Sequence, residues 1–186
     1  MNKIIGILGM QGAIAEHQEI LLQIPHTKTR IVKTAKDLDC IDGLILPGGE
    51  STAIGKLLDY FSLKEILRQK IISGLPVFGT CAGLILLAKN IENQTNTHLA
   101  TMDITVKRNG YGSQLDSFST NLLIPTIDKN MPIPLVFIRA PYITKTDKDV
   151  QILATLDNKI IAARQKNMLV SSFHPELTCD LRFHQY

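Results

Sequence analysis

Cysteine is scarce in this sequence of 186 residues: Cys40, Cys81 and Cys179 are odd in number, far apart and without a C-x-x-C pair. That count speaks against a disulfide framework and against a zinc ribbon. It makes a reducing, cytoplasmic compartment the expectation. No apolar run approaches the roughly 20 residues needed to span a bilayer. The start, Met1-Asn2-Lys3-Ile4-Ile5-Gly6-Ile7, lacks the length and cleavage site of a signal peptide. Nor is there a basic stripe. The net charge is +3 with scattered Lys and Arg, so neither nucleic acid nor a membrane is an expected partner.

What is present is the composition of a folded protein, 45% apolar and 20% charged, which separates it from disordered chains. The length suits one domain spanning residues 1–186, large enough to bury a core without disulfides or metal. The first half alternates strand and helix signals. Lys3–Leu8 is a short apolar run ending in glycines, and residues 13–23 carry apolar side chains at helical spacing. Residues 28–33 and Gly43–Leu46 read as strands, and Ser51 or Thr52 as the cap of a helix to about Tyr60. Residues 63–72 read as another helix, and 76–79 as a buried strand turning at Cys81 into an apolar helix over 82–88. Such repeats imply a parallel sheet covered by helices on both faces.

The second half changes character. Residues 103–107, 114–118 and 135–138 look like short strands. Residues 150–156 and 159–163 flank Asp157-Asn158, a hairpin signal. Residues 168–173 form a last strand before His174-Pro175-Glu176 and a helical tail. The expected fold is therefore α/β: a single-domain, three-layer sandwich with a mostly parallel, flavodoxin-like central sheet and an antiparallel addition in the second half.

The most informative segment is Pro76-Val77-Phe78-Gly79-Thr80-Cys81-Ala82-Gly83. A strand running into a helix through G-x-C-x-G is the cysteine version of a nucleophile elbow. Small residues two positions before and after the nucleophile relieve the crowding of that turn. The turn exposes sulfur above the carboxyl ends of the strands, where open α/β sheets bind ligands. It also places the thiol at a helix N-terminus, whose partial positive charge favours thiolate. Such a nucleophile needs a proton carrier. Of five histidines (His17, His26, His98, His174 and His184), His174 stands out because it follows a strand and precedes Glu176 by two residues. Residues two apart in an extended segment point the same way, so Glu176 can orient the imidazole, the third role in a triad.

Gly79-Thr80-Cys81-Ala82-Gly83 with a distant His174-Pro175-Glu176 resembles the class I (triad) glutamine amidotransferases. Within them, the resemblance is closest to the glutaminase subunits of pyridoxal 5'-phosphate synthase. It is carried by Gly9-Met10-Gln11-Gly12-Ala13, Leu46-Pro47-Gly48-Gly49-Glu50-Ser51-Thr52, Phe137-Ile138-Arg139-Ala140-Pro141 and Ser172-Phe173-His174-Pro175-Glu176-Leu177-Thr178. The resemblance implies that Cys81 attacks the side-chain amide of L-glutamine to form a thioester, with His174 and Glu176 completing the triad. It implies an oxyanion hole from the backbone N–H of Ala82 and one from Gly48 or Gly49. It implies glutamine contacts at Gly48, Gly49, Glu50, Arg108, Ile138 and Arg139, a synthase subunit as partner in a heteromeric complex, and no cofactor. Arg108 suits the substrate α-carboxylate, which a guanidinium binds bidentately. One departure is Ser113, where the family usually carries arginine.

Three near misses fail on spacing. Gly6, Gly9 and Gly12 give G-x-x-G-x-x-G rather than the dinucleotide fingerprint. Gly49-Glu50-Ser51-Thr52-Ala53-Ile54-Gly55-Lys56 has one residue too many for a phosphate loop and Leu57 where Ser or Thr is required. His174, Glu176, Cys179 and His184 match no zinc pattern. Two other readings keep part of the evidence: a cysteine hydrolase acting on γ-glutamyl bonds, and a catalytically dead binding module. The former lacks a reason for the Gly-Gly-Glu-Ser and Ile-Arg-Ala-Pro segments. The latter lacks a reason for an intact triad.

Overall fold

The computed structural model describes residues 2–110 and 117–186. In the first half, strands β1 (Lys3–Leu8), β2 (Thr27–Val32), β3 (Gly43–Leu46) and β4 (Val77–Thr80) alternate with helices. The helices are α1 (Ile14–Leu22), α2 (Ser51–Tyr60), α3 (Lys64–Ile72) and α4 (Ala82–Leu87). Strands β3 and β4, central in the sheet, are covered on both faces, which is why they read as continuous apolar runs, whereas the edge strand β2 (sequence TKTRIV) is mostly part-exposed. On β3, Ile45 packs with Ile7 and Leu21 under α1, while Leu44 and Leu46 face the opposite core with Ile54, Leu58 and Leu67 from α2 and α3.

Helix α2 starts where the sequence indicates, but its cap differs. Glu50 occupies the position before the helix, and its carboxylate accepts from the N–H groups of Thr52 and Ala53. Ser51 and Thr52, expected as caps, lie inside the first turn. A carboxylate there also meets the positive end of the helix dipole.

The second half supplies β5 (Ala88–Ile91), β6 (Met102–Lys107), β7 (Ser117–Leu122), β8 (Ile133–Ile138) and β9 (Tyr142–Thr146). It continues with β10 (Gln151–Leu156), β11 (Lys159–Gln165), β12 (Met168–Ser171), a 3-10 turn at Pro175–Leu177 and α5 (Arg182–Gln185). The main sheet runs β2-β1-β3-β4-β12-β11-β9-β6-β5, with β10 on β11. From β2 to β12 every pairing is parallel, in the flavodoxin-like order 2-1-3-4-5. Beyond β12 the sheet turns antiparallel through β11, β9 and β6. This is the addition expected from the sequence.

The Asp157-Asn158 hairpin is present, with φ of 49° and 59° at its two turn residues, the left-handed pair that a two-residue turn of this type demands. A separate antiparallel pair, β7 with β8, stacks Phe118 on Phe137 at 4.5 Å. Of the strand expected over 114–118, residues 114–116 lie outside the described residues, as does Ser113. The helix expected over 82–88 ends one residue sooner, with α4 closing at Leu87 and Ala88 opening β5. Strand β9 has no counterpart among the expected elements.

Candidate active site

Strands β4 and β12 lie side by side in parallel, with Ser171 opposite Thr80. Their carboxyl ends therefore deliver Cys81 and the Ser172-Phe173-His174 segment to the same edge of the sheet. Cys81 N–H donates to Ser171 O at 2.8 Å, and His174 N–H to Val136 O at 2.8 Å. Both backbones are thus anchored before any side chain acts.

Cys81 adopts φ 47° and ψ −98°, a region that costs a non-glycine residue on the order of 1–3 kcal/mol. The surrounding packing holds it there. A Cβ on Gly83 would sit 2.2 Å from the Leu46 carbonyl oxygen, and one on Gly79 would sit 2.6 Å from the Gly83 carbonyl carbon. The turn brings β3, β4 and α4 closer than any side chain at those positions allows. This is the crowding that G-x-C-x-G relieves.

Cys81, His174 and Glu176 are all buried, and His174 Nδ1 lies 2.7 Å from Glu176 Oε1. Burial opposes charge on the His174 ring. The hydrogen bonds to Cys81 and Glu176 and the charges of those two partners outweigh it and raise its pKa to about 10. His174 is therefore an imidazolium at neutral pH, with its Nδ1–H on the carboxylate and its other face toward sulfur. Gly48 closes the approach from β3: a Cβ there would lie 2.3 Å from His174 Cε1.

A cavity of about 660 Å³ opens in front of Cys81, within the usual range for small-molecule sites. Gly48, Gly49, Glu50, Arg108, Ile138 and Arg139, all expected as substrate contacts, line it together with Cys81 and His174. Glu176 lies behind His174. Ala82, named with Gly48 and Gly49 for the oxyanion hole, begins α4, where first-turn N–H groups have no acceptor within the helix. The Gly48 N–H is engaged, donating to Thr80 Oγ1 at 3.0 Å. On the outer wall Arg108 donates to Glu50 Oε1 at 2.9 Å and to Thr52 Oγ1 at 3.3 Å. Although burial pulls the other way, the Ala53 and Thr52 amides and Arg108 lower the Glu50 pKa. Glu50 is thus a stable anion on the cavity wall.

Two residues near the triad escaped the sequence reading. Thr80 accepts from Gly48, and His17 lies wholly buried against Thr80 and Glu176. The signal for His17 was its spacing: His17, Ile20 and Leu21 form one buried face of α1, so a titratable ring sits where an apolar residue belongs. Among the described residues no group of three or more metal-ligating side chains is assembled, and no helix is long and apolar enough to cross a membrane.

The SNO glutamine amidotransferase family matches residues 7–186 of the chain. A pyridoxal 5'-phosphate synthase subunit PdxT from Carboxydothermus hydrogenoformans is 56% identical over 182 residues, covering 98% of this chain and 94% of that protein. Its counterpart from Ruminiclostridium cellulolyticum is 53% identical over 184 residues, covering 99% and 97%. A crystal structure of a glutamine amidotransferase, 39% identical, superposes with a TM-score of 0.90 over 98% of this chain and 95% of its own. The buried triad on a strained cysteine elbow and these full-length similarities agree, and the chain belongs to the SNO glutamine amidotransferase family.

Proposed function

We propose that residues 1–186 act as one glutaminase domain that hydrolyses L-glutamine to L-glutamate and ammonia and passes the ammonia to a pyridoxal 5'-phosphate synthase subunit. The observation that carries this reading is the Cys81–His174–Glu176 arrangement at the floor of a cavity lined by Arg108 and Glu50.

Cys81 Sγ attacks the side-chain amide carbon, and the C=O π electrons move onto oxygen. The Ala82 N–H and the Gly49 N–H receive that oxyanion, since the Gly48 N–H is held by Thr80. Collapse of the intermediate re-forms C=O and breaks the C–N bond as His174 gives its proton to the departing nitrogen, which leaves as ammonia. The neutral imidazole then takes a proton from water. The resulting hydroxide attacks the thioester, the C–S bond breaks, and glutamate is released with the sulfur and the His174 proton restored. Glu176 stabilises the imidazolium at both ends of the cycle. No cofactor enters any step.

Arg108 and Glu50 carry opposite charges on the outer wall, matching the α-carboxylate and α-ammonium of an amino acid. Two of the five guanidinium N–H groups are used on Glu50 and Thr52, leaving donors for a carboxylate. Ile138 and Arg139 complete the wall where β8 ends. The reaction needs a reduced thiol, and the cytoplasm is the compartment that keeps one.

The test is ammonia release from glutamine by the purified chain, alone and with the synthase subunit, beside a Cys81→Ser control. Release that rises with the synthase and disappears in the control is expected. Release that persists in Cys81→Ser would remove the nucleophile assignment, and indifference to the synthase would remove the partner.

A further inference from the structure

Behind the triad lies a buried imidazole that none of the steps above employs. His17 is 0% exposed. Its Nδ1 lies 3.0 Å from His184 Nε2, and its Nε2 lies 3.2 Å from Thr80 Oγ1 and 3.5 Å from Glu176 Oε2. Glu176 spends Oε1 on His174, while its fully buried Oε2 meets no hydrogen-bond partner among the described residues. A buried carboxylate oxygen without a donor is costly. His17 Nε2 lies 3.5 Å from it, a polar contact longer than a hydrogen bond, while the hydrogen-bond partner of that nitrogen is Thr80.

The nearby carboxylate favours one tautomer. A proton on Nε2 points at Glu176 and Thr80 and leaves Nδ1 to accept from His184. The opposite tautomer would set a nitrogen lone pair against a carboxylate oxygen. Burial above all, then the neighbouring His184 and His174, lowers the His17 pKa well below 6.5, so the ring is a neutral donor. It therefore stands beside the carboxylate without competing with His174 for its charge. Thr80, the other group it touches, accepts the Gly48 N–H at 3.0 Å. One imidazole on α1 thus backs both the acid–base arm and the loop that closes on the nucleophile.

We propose that His17 is a positioning residue of the triad: its Nε2–H fixes the second oxygen of Glu176, and through it the orientation of His174 toward Cys81. This rests on the glutaminase reading. His17 does not line the substrate cavity, so its removal acts on turnover and not on substrate affinity.

Two near-isosteric variants separate this from a packing role. His17→Gln carries an amide N–H close to where Nε2 stood. His17→Asn carries it where Nδ1 stood and leaves Glu176 Oε2 without a donor. Measured in complex with the synthase subunit, His17→Asn is expected to lower kcat by up to about 10²-fold, as a small misplacement of a reacting group does. KM stays near the wild-type value, and His17→Gln restores most of kcat. Equal kcat in the two variants, or a loss confined to KM, overturns the proposal.

A second measurement needs no glutamine: the rate of Cys81 alkylation by iodoacetamide in a Cys40→Ser, Cys179→Ser background, at a temperature where circular dichroism shows every variant folded. Slower alkylation in His17→Asn than in His17→Gln supports the proposal, and equal rates contradict it. If the unsubstituted chain releases no ammonia, the glutaminase reading fails and the alkylation rates alone decide the role of His17.

Discussion

Cys81 and His174 on the inner wall of the cavity, and Glu176 behind them, are 8%, 7% and 6% exposed, whereas the side chains of Arg108 and Glu50 on the outer wall are 29% and 52% exposed. The inner wall is set by backbone. Parallel β4 and β12 end together, a strained turn presents sulfur, and glycines admit strands and helix at distances no side chain tolerates. The outer wall is set by side chains in a screened ion pair, which contributes little to stability and keeps its charges available. Bond making is thus assigned to groups that the fold cannot move, and recognition to groups that cost little to rearrange.

The comparison breaks if the two walls respond alike to substitution, and the largest difference is expected at the inner one. Glu176→Gln removes the charge that holds the His174 imidazolium, and kcat should fall by about 10²–10⁴-fold with KM little changed, as for the orienting acid of other triads. Steady-state ammonia release at saturating glutamine measures it. Gly83→Ala drives a methyl to 2.2 Å from a backbone oxygen of β3. It should destabilise the fold by about 1–3 kcal/mol or more, read from urea unfolding, and disable the elbow.

At the outer wall the loss moves from kcat to KM. Arg108→Ala should raise KM by about 10–100-fold through loss of a charge-assisted contact to the α-carboxylate, with kcat largely kept. The Arg108–Glu50 pair itself should contribute under about 1 kcal/mol to stability in a double-mutant cycle. A kcat-dominated loss in Arg108→Ala would merge the two walls into one machinery.

The inner wall also carries a pH dependence that the outer wall lacks. The His174 pKa stands at about 10 against its ordinary 6.5, so between those values the native chain keeps a proton that the unfolded chain releases. The stability from this site is complete below about pH 6.5 and is lost as pH rises through about 10. Thermal unfolding across that window should fall more steeply in the unsubstituted chain than in His174→Gln.

The inner wall was also the more legible in the sequence. G-x-C-x-G states the close approaches of Gly79 and Gly83 directly, and the His174–Glu176 spacing states an extended segment with both side chains on one side. The buried strands β1, β3 and β4 announce themselves as apolar runs because both faces are covered. Most of what escaped is set by partners distant in sequence. Ala88–Ile91 becomes a strand through pairing with β6, although the preceding residues continue a helical apolar pattern. Glu50 caps α2 because its longer side chain folds back onto the Thr52 and Ala53 amides, a reach that local preference for Ser or Thr does not reveal. His17 lies 159 positions from Glu176 in number, and only the docking of α1 against the Pro175–Leu177 turn brings them together.

The most direct measurement is covalent labelling by a glutamine analogue bearing a diazoketone in place of the side-chain amide, followed by peptide mass mapping. The cavity and the strained elbow predict a single adduct on Cys81, prevented by excess glutamine, with Cys40 and Cys179 unmodified. Label on Cys40 or Cys179, or no label on a chain that still hydrolyses glutamine, would contradict the assignment of Cys81 as the nucleophile.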